Sequence, residues 1–265
     1  MKIISFRDGL GNQLFQYQLF LYLRKLNPKE KIYGYYNKKR LKAHNGLEIF
    51  NHFDVEMPKA SFLSNLFVLV LRLIDKVIPI VSRDNHFNLG AILFMGYWQD
   101  KKYWGFKPFQ IPFKRLALDE KNQEWVRMIN SSNSVFVHIR RGDYLLPGNE
   151  IYNVCNINYY EQAINEISKF IDNPKFFIFS DDIAWVKDNL KIKDASYIDN
   201  NKGSNSFIDM YLMSCCKGAV IANSSFSFWG AINGNSDKIV IYPKKWKLKS
   251  TNKLPNIFKD EWIGL

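Results

Sequence analysis

Residues 135–144 read VFVHIRRGDY, an apolar run that ends in a histidine, two arginines, a glycine and an aspartate. Residues 135–137 predict a short buried strand, and Gly142 supplies the turn that ends it. Arg140 then stands at the carboxyl end of a strand, where open α/β sheets bind their ligands. Its planar guanidinium can bind two oxygen atoms at once, which indicates a phosphate. A surface Arg–Asp pair that closes the turn would leave the same pattern.

The amino terminus also has a strand that ends in a glycine turn, followed here by a helix. Residues 2–6 predict a strand, Gly9 and Gly11 a turn, and residues 13–25 an amphipathic helix. Such a unit brings backbone N–H groups close to whatever lies above the sheet. The third glycine of the dinucleotide-binding fingerprint is missing, so this turn alone is weak evidence for a nucleotide. Capping of the helix is an alternative role for Asn12.

A third stretch, residues 206–231, reads SFIDMYLMSCCKGAVIANSSFSFWGA. It predicts a helix that ends at Gly218, a buried strand at residues 219–222, a polar turn at residues 223–225 and a second helix. Small hydroxyl residues at a helix amino terminus offer amides, hydroxyls and the positive end of the helix dipole to an anion. Ordinary capping of the second helix by Ser225 accounts for the same residues.

Together the three stretches resemble the inverting α-1,2-fucosyltransferases of glycosyltransferase family 11. The motifs follow the family order: GLGNQLFQY begins at Gly9, HIRRGDY at His138, FSDD at Phe179, and DMYLMSCC at Asp209, followed by ANSSFSFWGA. The match extends to about thirty residues before the carboxyl terminus, although residues 27–130 match only vaguely. A looser form of the same pattern is found in the α-1,6- and protein O-fucosyltransferases.

The resemblance implies a role for each matching residue. Arg140 corresponds to the arginine that holds the donor pyrophosphate and neutralises it as it leaves. His138 corresponds to the histidine beside the nucleotide, and Asp209 to an aspartate that pairs with guanine N1–H and the 2-amino group. The remaining donor-binding residues belong to the phosphate-and-ribose turn and to an amino-terminal loop that reaches towards the donor sugar: Asn223, Ser224, Ser225 and Phe226 in the turn, Gly11 and Asn12 in the loop.

Three further carboxylates stand near the predicted phosphate site. Asp143 is a candidate general base, although a role as a support for Arg140 is slightly favoured. Asp181 and Asp182 follow the predicted strand 176–179, and adjacent carboxylates can hold a divalent metal. Neighbouring side chains point in different directions, however, and no third ligand is evident. Helix capping or contact with the ribose hydroxyls is favoured, Asp181 is assigned to the donor, and no metal is expected.

The residue types fit this chemistry without reference to the family. A departing nucleoside diphosphate develops negative charge, which arginine and helix amino termini can stabilise in place of a metal. Arg140, with Arg141 as a second candidate, and the serine turn would supply this stabilisation. An aspartate facing guanine selects that base, because a buried carboxylate left unpaired is costly.

The resemblance implies the activity of a galactoside α-1,2-fucosyltransferase with no cofactor. Such an enzyme would move L-fucose from GDP-β-L-fucose to the 2-hydroxyl of a galactose-containing glycan, such as an O-antigen of lipopolysaccharide, with inversion. One alternative is a transferase for another GDP-sugar, of which GDP-mannose is the nearest because it shares the base. The other is a non-catalytic basic protein that binds membrane or nucleic acid. No nucleic-acid partner is expected, since the chain carries no recognised nucleic-acid motif.

The net charge of +12 calls for an anionic partner. Residues 61–81 are the most apolar stretch, but Arg72, Asp75 and Lys76 interrupt it, so an interfacial helix fits better than a transmembrane one. We expect peripheral contact with an anionic membrane, on its inner face. Three cysteines and no evident secretory signal predict a cytoplasmic protein.

Alternation of short apolar strands with helical stretches predicts an α/β fold throughout. The resemblance implies a GT-B-like arrangement, with two facing Rossmann-like domains and a cleft between them. The predicted acceptor-side domain covers residues 1–132, and the predicted GDP-sugar-binding domain covers residues 133–265. Aromatic residues at 97–113 would stack on acceptor sugars or pack in the core. Strands are predicted at 2–6, 31–36, 135–139, 176–179, 196–198, 219–222 and 239–242, and helices at 13–25, 61–77, 120–130, 158–170, 183–190, 207–216 and 226–234.

Overall fold

The structure, a computed structural model of the 265-residue chain, describes residues 1–60, 64–104, 110–248 and 254–265. The chain divides into two compact units, an amino-terminal unit, Met1–Lys107, and a carboxyl-terminal unit, Pro108–Leu265. Each unit contains a sheet of parallel strands with helices between them. No helix in the described part of the chain is both long and apolar enough to cross a membrane.

Four parallel strands form the sheet of the amino-terminal unit, in the order β2-β1-β4-β3. Strand β1 is central and pairs with β2 and β4. Helix α4 covers the sheet by packing Val68 and Leu71 against Ile3, Val81 and Leu93. The elements are β1 Lys2–Phe6, α1 Leu10–Leu26, β2 Ile32–Tyr36, α2 Lys38–Lys42, α3 Glu48–His52, α4 Ser64–Ile74, β3 Val81–Ser82, β4 Leu93–Phe94 and a 3₁₀ turn Lys101–Tyr103.

Six parallel strands form the sheet of the carboxyl-terminal unit, in the order β10-β9-β8-β5-β6-β7. Its strands and α-helices are α5 Glu120–Asn130, β5 Ser134–Ile139, α6 Ile157–Ile167, β6 Lys175–Ser180, α7 Ile183–Asn189, β7 Ala195–Ile198, α8 Phe207–Cys215, β8 Gly218–Val220, α9 Ser225–Ile232, β9 Ile239–Tyr242 and β10 Ile263–Gly264. Short 3₁₀ turns lie at Asp143–Leu145, Glu150–Tyr152 and Gly203–Asn205.

The strand order of the second sheet fixes where a ligand can bind. From one edge to the other, the sheet runs through the third, second, first, fourth, fifth and sixth strands of the unit, which is the Rossmann order. The order reverses between β5 and β8, and open α/β sheets bind ligands in the crevice outside the carboxyl ends of the strands at such a point. The HIRRGDY motif follows β5 and the NSS turn follows β8, so the fold brings two of the three sequence motifs to this crevice.

Strand β5 is buried along its whole length, as expected for a central parallel strand. Its neighbour β8 approaches closely because Gly218 has no side chain. A Cβ atom on Gly218 would lie 2.5 Å from the Cδ1 atom of Ile171 and 3.1 Å from the Cδ1 atom of Ile167, the last residue of α6. The short strand that precedes the serine turn is thereby held against the core helix α6.

All seven predicted strands and all seven predicted helices occur, with ends that shift by a few residues. Strands β3, β4 and β10 were missed because each is only two residues long, too short for an alternating pattern. Helix α4 was predicted to begin at residue 61, but residues 61–63 lie outside the described residues. In the aromatic run, Trp98 and Tyr103 are buried and meet edge to face, which supports core packing for these two; residues 105–109 are not described.

The boundary between the units lies earlier than the predicted one at residues 132 and 133. Helix α5 belongs to the carboxyl-terminal unit, since the ring of Trp125 meets Phe177 of β6 edge to face. The side-chain amide of Asn122 also exchanges two hydrogen bonds of 2.9 Å with that of Asn201. The polar residues 130–134 are therefore the tight connection between α5 and β5, and the unit begins at Pro108.

Candidate functional site

Arg140 leaves the carboxyl end of β5 between two carboxylates. Its Nε atom lies 2.8 Å from Asp143 Oδ1, and its Nη1 atom lies 3.1 Å from Asp181 Oδ2. Burial alone would lower the pKa of Arg140, but Asp181 and Asp143 outweigh it and raise the pKa. A third of the side chain stays exposed, and Nη2 has no partner among the described residues. The site therefore holds a permanent cation in a fixed orientation, with one edge of the guanidinium open.

Arg141 is committed to the protein instead. Its guanidinium lies 3.8 Å from the centre of the Trp185 ring, and its Nε donates to Asp182 Oδ2 at 3.2 Å. Both partners belong to the start of helix α7. Of the two arginines in the motif, Arg140 is the one available to a ligand.

Asp181 binds two consecutive residues of the β5 loop. One carboxylate oxygen pairs with the Arg140 guanidinium, and the other accepts a hydrogen bond of 2.9 Å from the backbone N–H of Arg141. Gly142 permits this approach, because a Cβ atom there would lie 3.0 Å from Asp181 Oδ2. Asp181 thus orients the arginine, a different contact from the donor contact predicted for it.

Asp182 confirms the capping interpretation. Its carboxylate accepts a hydrogen bond of 3.2 Å from the N–H of Trp185 in the first turn of α7. The two adjacent carboxylates serve different partners. Among the residues that the structure describes, no group of three or more His, Cys, Asp or Glu is arranged to hold a metal ion.

His138 is buried in β5, with its ring tilted against that of Phe226 at 5.9 Å between centroids. Burial, with a smaller contribution from the charge of Arg140, lowers the pKa of His138 to about 3. The imidazole is therefore neutral at physiological pH and is a weak base. Its Nδ1 atom has no hydrogen-bond partner in the described parts of the chain. These properties suit a neutral hydrogen-bonding group beside a ligand and do not suit a general base.

The two serines of the turn after β8 differ in what their hydroxyl groups contact. Ser224 is the cap of α9, since its Oγ accepts a hydrogen bond of 3.2 Å from the N–H of Phe226. The alternative that Ser225 is the cap is wrong. Ser225 is half-buried, and its hydroxyl makes no hydrogen bond within the described residues. Its amide is one of those that a helix amino terminus leaves without an intrahelical partner.

Asn223 was predicted to bind the donor, but its side chain is fully used by the protein. The amide donates to the carbonyl oxygens of Tyr152 at 2.8 Å and Trp246 at 3.0 Å, and Oδ1 accepts from Cys155 Sγ at 3.5 Å. Asn223 is 3% exposed. Its role in this structure is to fix the turn, because its amide hydrogens are already satisfied.

Tyr144 connects the two loops that meet at the crevice, and sequence reasoning missed it. Its hydroxyl donates to the backbone carbonyl of Asn223 at 3.0 Å, while the Arg140 guanidinium lies over its ring at 5.9 Å. The residue closes the HIRRGDY motif. A half-buried aromatic residue with a hydroxyl next to a predicted phosphate site was the available signal.

Asp209 lies in the first turn of α8, which follows the carboxyl end of β7 and so starts at the same edge of the sheet. Its Oδ1 accepts a hydrogen bond of 2.8 Å from the Asn201 amide. Burial raises the pKa of Asp209 to about 7, and the Asn201 hydrogen bond reduces the shift. The reciprocal amide pair of Asn122 and Asn201 sets the orientation of this donor, another feature that the sequence did not reveal.

Gly11 and Asn12 lie in the first turn of α1, in the amino-terminal unit. The helix begins after Gly9, and the Asn12 side chain accepts a hydrogen bond from Gln99 at 3.4 Å. The capping alternative for Asn12 is therefore wrong. The role of Gly11 and Asn12 towards a donor sugar stays a prediction.

The two glutamines of the GLGNQLFQY motif explain the shape of this loop. Gln13 donates to the carbonyl oxygens of Asp8 and Gly46 at 2.8 and 2.9 Å. Gln16 accepts from the backbone N–H of Arg7 at 2.9 Å. Both glutamines are fully buried. Asp8, whose carbonyl oxygen accepts from Gln13, has a positive φ of 66°. The motif therefore holds a strained turn at the carboxyl end of β1.

Solved structures with a similar fold are glycosyltransferases. The fucosyltransferase NodZ from Bradyrhizobium superimposes with a TM-score of 0.51 over 88% of this chain and 92% of its own, at 13% identity. A glycosyl transferase family 9 structure from Veillonella parvula gives 0.50 over 100% and 86%, at 10% identity. The predicted fold class is confirmed: the chain has the α/β, GT-B-like fold of these enzymes.

Sequence relatives narrow the class. An α-1,2-colitosyltransferase of Escherichia coli is 33% identical over 296 aligned positions, covering 100% of this chain and 99% of the relative. The O-antigen biosynthesis glycosyltransferase WbnK of Escherichia coli is 38% identical over 139 residues, 51% of this chain and 45% of the relative. A mouse galactoside 2-α-L-fucosyltransferase, Sec1, is 27% identical over 142 residues, which cover 51% of this chain and 38% of the relative. Residues 108–265 match the family model of glycosyl transferase family 11, and the chain belongs to this family.

Proposed function

We propose that this protein transfers L-fucose from GDP-β-L-fucose to the 2-hydroxyl group of a galactoside, with inversion and without a metal ion. The observation that carries the proposal is the fixed cation Arg140, held by Asp143 and Asp181 where the sheet order reverses. Relatives named as α-1,2-colitosyltransferase, galactoside 2-α-L-fucosyltransferase and O-antigen glycosyltransferase support the linkage and a surface-glycan acceptor.

In the proposed reaction the acceptor oxygen attacks C1 of fucose from the face opposite GDP. The bond from C1 to the β-phosphate oxygen breaks, the hydroxyl proton passes to a base, and GDP leaves with the bonding electrons. The open edge of Arg140 and the free hydroxyl and amide of Ser225 would stabilise the negative charge on GDP. These groups sit on opposite sides of the switch point, after β5 and β8, so both can face one diphosphate.

Asp143 is better suited to support Arg140 than to accept the acceptor proton. Its Oδ1 atom is 2.8 Å from Arg140 Nε, so the carboxylate is already engaged with the guanidinium. His138, neutral and buried beside Phe226, would contact the nucleotide through a hydrogen bond.

We assign guanine recognition to Asp209. A carboxylate oriented by Asn201 can accept hydrogen bonds from N1–H and the 2-amino group of guanine, which adenine does not offer. NodZ, a structural neighbour with a TM-score of 0.50, has been crystallised with GDP, which supports a guanine nucleotide here as well.

A second donor is favoured by one observation. A relative that aligns over the whole chain is named a colitosyltransferase, so the GDP derivative of colitose is a rival to GDP-fucose. The decisive assay offers GDP-L-fucose, GDP-colitose and GDP-mannose separately, with an array of galactose-containing acceptors, and determines the linkage of the product. We expect α-1,2-linked fucose. Transfer from GDP-colitose alone would show that GDP-colitose, and not GDP-fucose, is the donor, and it would leave the assignment of the site residues unchanged.

A thermal-shift assay separates a transferase from a non-catalytic basic protein. GDP should raise the melting temperature, whereas ADP and UDP should leave it unchanged. Stabilisation by oligonucleotides alone would contradict the proposal.

We also propose a cytoplasmic location, since Cys155, Cys215 and Cys216 are all free thiols. Alkylation of intact and of lysed cells with an impermeant maleimide tests it: the protein should react only after lysis. Labelling in intact cells would contradict a cytoplasmic location.

A further inference from the structure

The outer face of helix α4 exposes an unusual amount of apolar surface. Leu66 is 70% exposed, Leu69 56% and Leu73 62%, and Val77, just after the helix, is 86% exposed. Val70 and Ile74 are partly exposed beside them. We call this set the α4 outer face: Leu66, Leu69, Val70, Leu73, Ile74 and Val77. Single exposed leucines are common on proteins, but a contiguous apolar patch marks an interaction site.

Helix geometry makes these residues one continuous row. Successive residues turn by about 100°, so positions three, four and seven apart share a side of the helix. Leu66, Val70 and Leu73 follow this spacing, and Leu69 and Ile74 widen the row on either side. The opposite side of the helix carries Val68 and Leu71, which are buried against the sheet. The helix is therefore apolar on both sides, and only one side is covered.

Positive charge borders the α4 outer face. Arg72 lies next to Leu69 around the helix, and Lys76 follows in the turn just after the helix. Both are exposed, with no ion pair among the described residues. The one acidic residue of this stretch, Asp75, is neutralised elsewhere: its carboxylate binds Arg83 Nη2 at 2.7 Å and the N–H of Val81 at 2.7 Å. The rim of the apolar row is thus cationic.

The charge of the whole chain is concentrated in the same unit. Residues 1–107 contain 17 Lys and Arg against 8 Asp and Glu, a net charge of +9 out of the total of +12. Residues 108–265 contain 20 against 17, a net charge of +3. The unit that bears the α4 outer face is the one with the larger excess of positive charge.

We propose that the α4 outer face docks this protein on an anionic lipid bilayer. The leucine row would lie in the boundary between headgroups and acyl chains, and Arg72 and Lys76 would contact lipid phosphates. A helix of 11 residues is about 16 Å long, which suits a position in the plane of the interface. A second copy of this chain is a poorer occupant, because a two-fold contact would bring the cationic rims of both copies together. The inference goes beyond the proposed function and does not depend on it.

Vesicle flotation at physiological salt tests the proposal. Wild-type protein should float with vesicles of phosphatidylglycerol and phosphatidylcholine in equal parts, and remain below vesicles of phosphatidylcholine alone. The variant L66Q/L69Q/L73Q should lose flotation. The variant R72Q/K76Q should bind about thirtyfold more weakly, since each basic residue near an anionic surface contributes roughly a kilocalorie. Raising the salt concentration should weaken wild-type binding and affect R72Q/K76Q less.

The matched control is L26Q/L89Q, which removes two leucines of similar exposure elsewhere in the same unit. It should float like the wild type, and all variants should keep the wild-type melting temperature and transfer to a soluble acceptor. Absence of wild-type flotation, or unchanged flotation of L66Q/L69Q/L73Q, would overturn the proposal. A dimer in light scattering that L66Q/L69Q/L73Q converts to a monomer would assign the face to a second copy instead.

Discussion

Tyr144 donates its hydroxyl hydrogen to the backbone carbonyl of Asn223 at 3.0 Å, and this bond joins the loop after β5 to the loop after β8. The Asn223 side chain adds bonds to Tyr152 and Cys155 of the loop after β5. Arg140 stands over the Tyr144 ring, and the Ser224–Ser225 turn follows Asn223. The relative position of the cation and the hydroxyl turn therefore depends in part on an uncharged residue. Proximity of the two loops is what the proposed phosphate site requires.

Tyr144→Phe should lower kcat/KM for the donor by about tenfold, because the aromatic ring remains while the hydrogen bond from residue 144 to the loop after β8 is lost. Stability should fall by only about 1 kcal/mol. Tyr152→Phe is the matched control: its ring packs against Tyr144 at 5.5 Å, and its hydroxyl makes no hydrogen bond within the described residues. Steady-state kinetics that show equal losses in the two variants would contradict the bridging role.

Arg140→Ala should lower kcat/KM by about a hundred- to a thousandfold, the usual cost of removing one preorganised donor to developing charge. Arg140→Lys should recover little, since a lysine cannot reproduce the fork that Asp143 and Asp181 hold. Arg141→Ala, the neighbouring control, should retain activity within about tenfold, because its guanidinium packs on Trp185. Circular dichroism should show folded protein in each case. Near-normal turnover by Arg140→Ala would remove this residue from the mechanism.

GDP affinity should depend on the ionisation of Asp209. Its pKa of about 7 means that the carboxyl is protonated below neutral pH and cannot accept both guanine hydrogens. Calorimetry should show GDP binding that is constant above pH 7 and weakens by up to about tenfold per pH unit below it. Asp209→Asn should bind GDP weakly, with little dependence on pH and reduced selectivity against ADP. Unchanged selectivity in this variant would refute the guanine assignment.

The same pKa shift should make the free energy of unfolding fall as the pH rises, whereas GDP binding should weaken as the pH falls. Folding raises the pKa of Asp209 from its ordinary value near ~3.9 to about 7, so the fold favours the protonated form. Stability contributed by this group is present below pH ~4 and is lost as the pH rises to 7. Asp209→Asn should therefore match the wild type in melting temperature at pH ~4 and exceed it increasingly up to pH 7. Lower stability of Asp209→Asn at pH 8 would contradict a buried, strained carboxylate.

His138 should not titrate in the physiological range. With its pKa lowered to about 3 by burial, the imidazole stays neutral from pH 5 to pH 8. The NMR signal assigned to His138 by its absence in His138→Asn should keep a constant chemical shift over this range. The pH profile of kcat/KM for His138→Asn should keep the shape of the wild-type profile while its magnitude falls. A wild-type inflection near pH 6.5 that disappears in His138→Asn would show that the residue acts as a base.

Chelation tests the metal-free proposal. EDTA should leave the rate of transfer unchanged, because Arg140 and the start of α9 stabilise the leaving diphosphate in the proposed mechanism. Activity that falls with EDTA and returns with added manganese or magnesium would overturn this account.

Local sequence patterns predicted the elements but not how their side chains are paired. The run at residues 135–139 predicts β5 because β-branched and aromatic residues favour extended backbone, and Gly142 marks the turn. The partner of Arg140 could not be read from the same pattern. Asp181 is forty-one residues away, and only the pairing of β5 with β6 brings it to the arginine.

The same distinction applies at the serine turn and at helix α5. Ser224 and Ser225 are chemically equal in the sequence, and the backbone direction at the end of β8 decides which one caps α9. Residues 130–134 resemble a linker in composition, yet α5 packs on β6 through Trp125. Neither the choice of the cap residue nor the packing of α5 follows from the helix and strand propensities of the residues nearby.

By itself, the sequence determined the family, the α/β class and the edge of the sheet where the site is proposed, since strand, turn and helix preferences act between residues close along the chain. Tertiary structure alone decided which polar groups stay open to a ligand: Arg140 and Ser225 are open, whereas Arg141, Ser224 and Asn223 are bound within the protein. The physical reason is that a hydrogen bond or ion pair needs its two partners within about 3 Å, and strand pairing brings such partners together from distant parts of the chain.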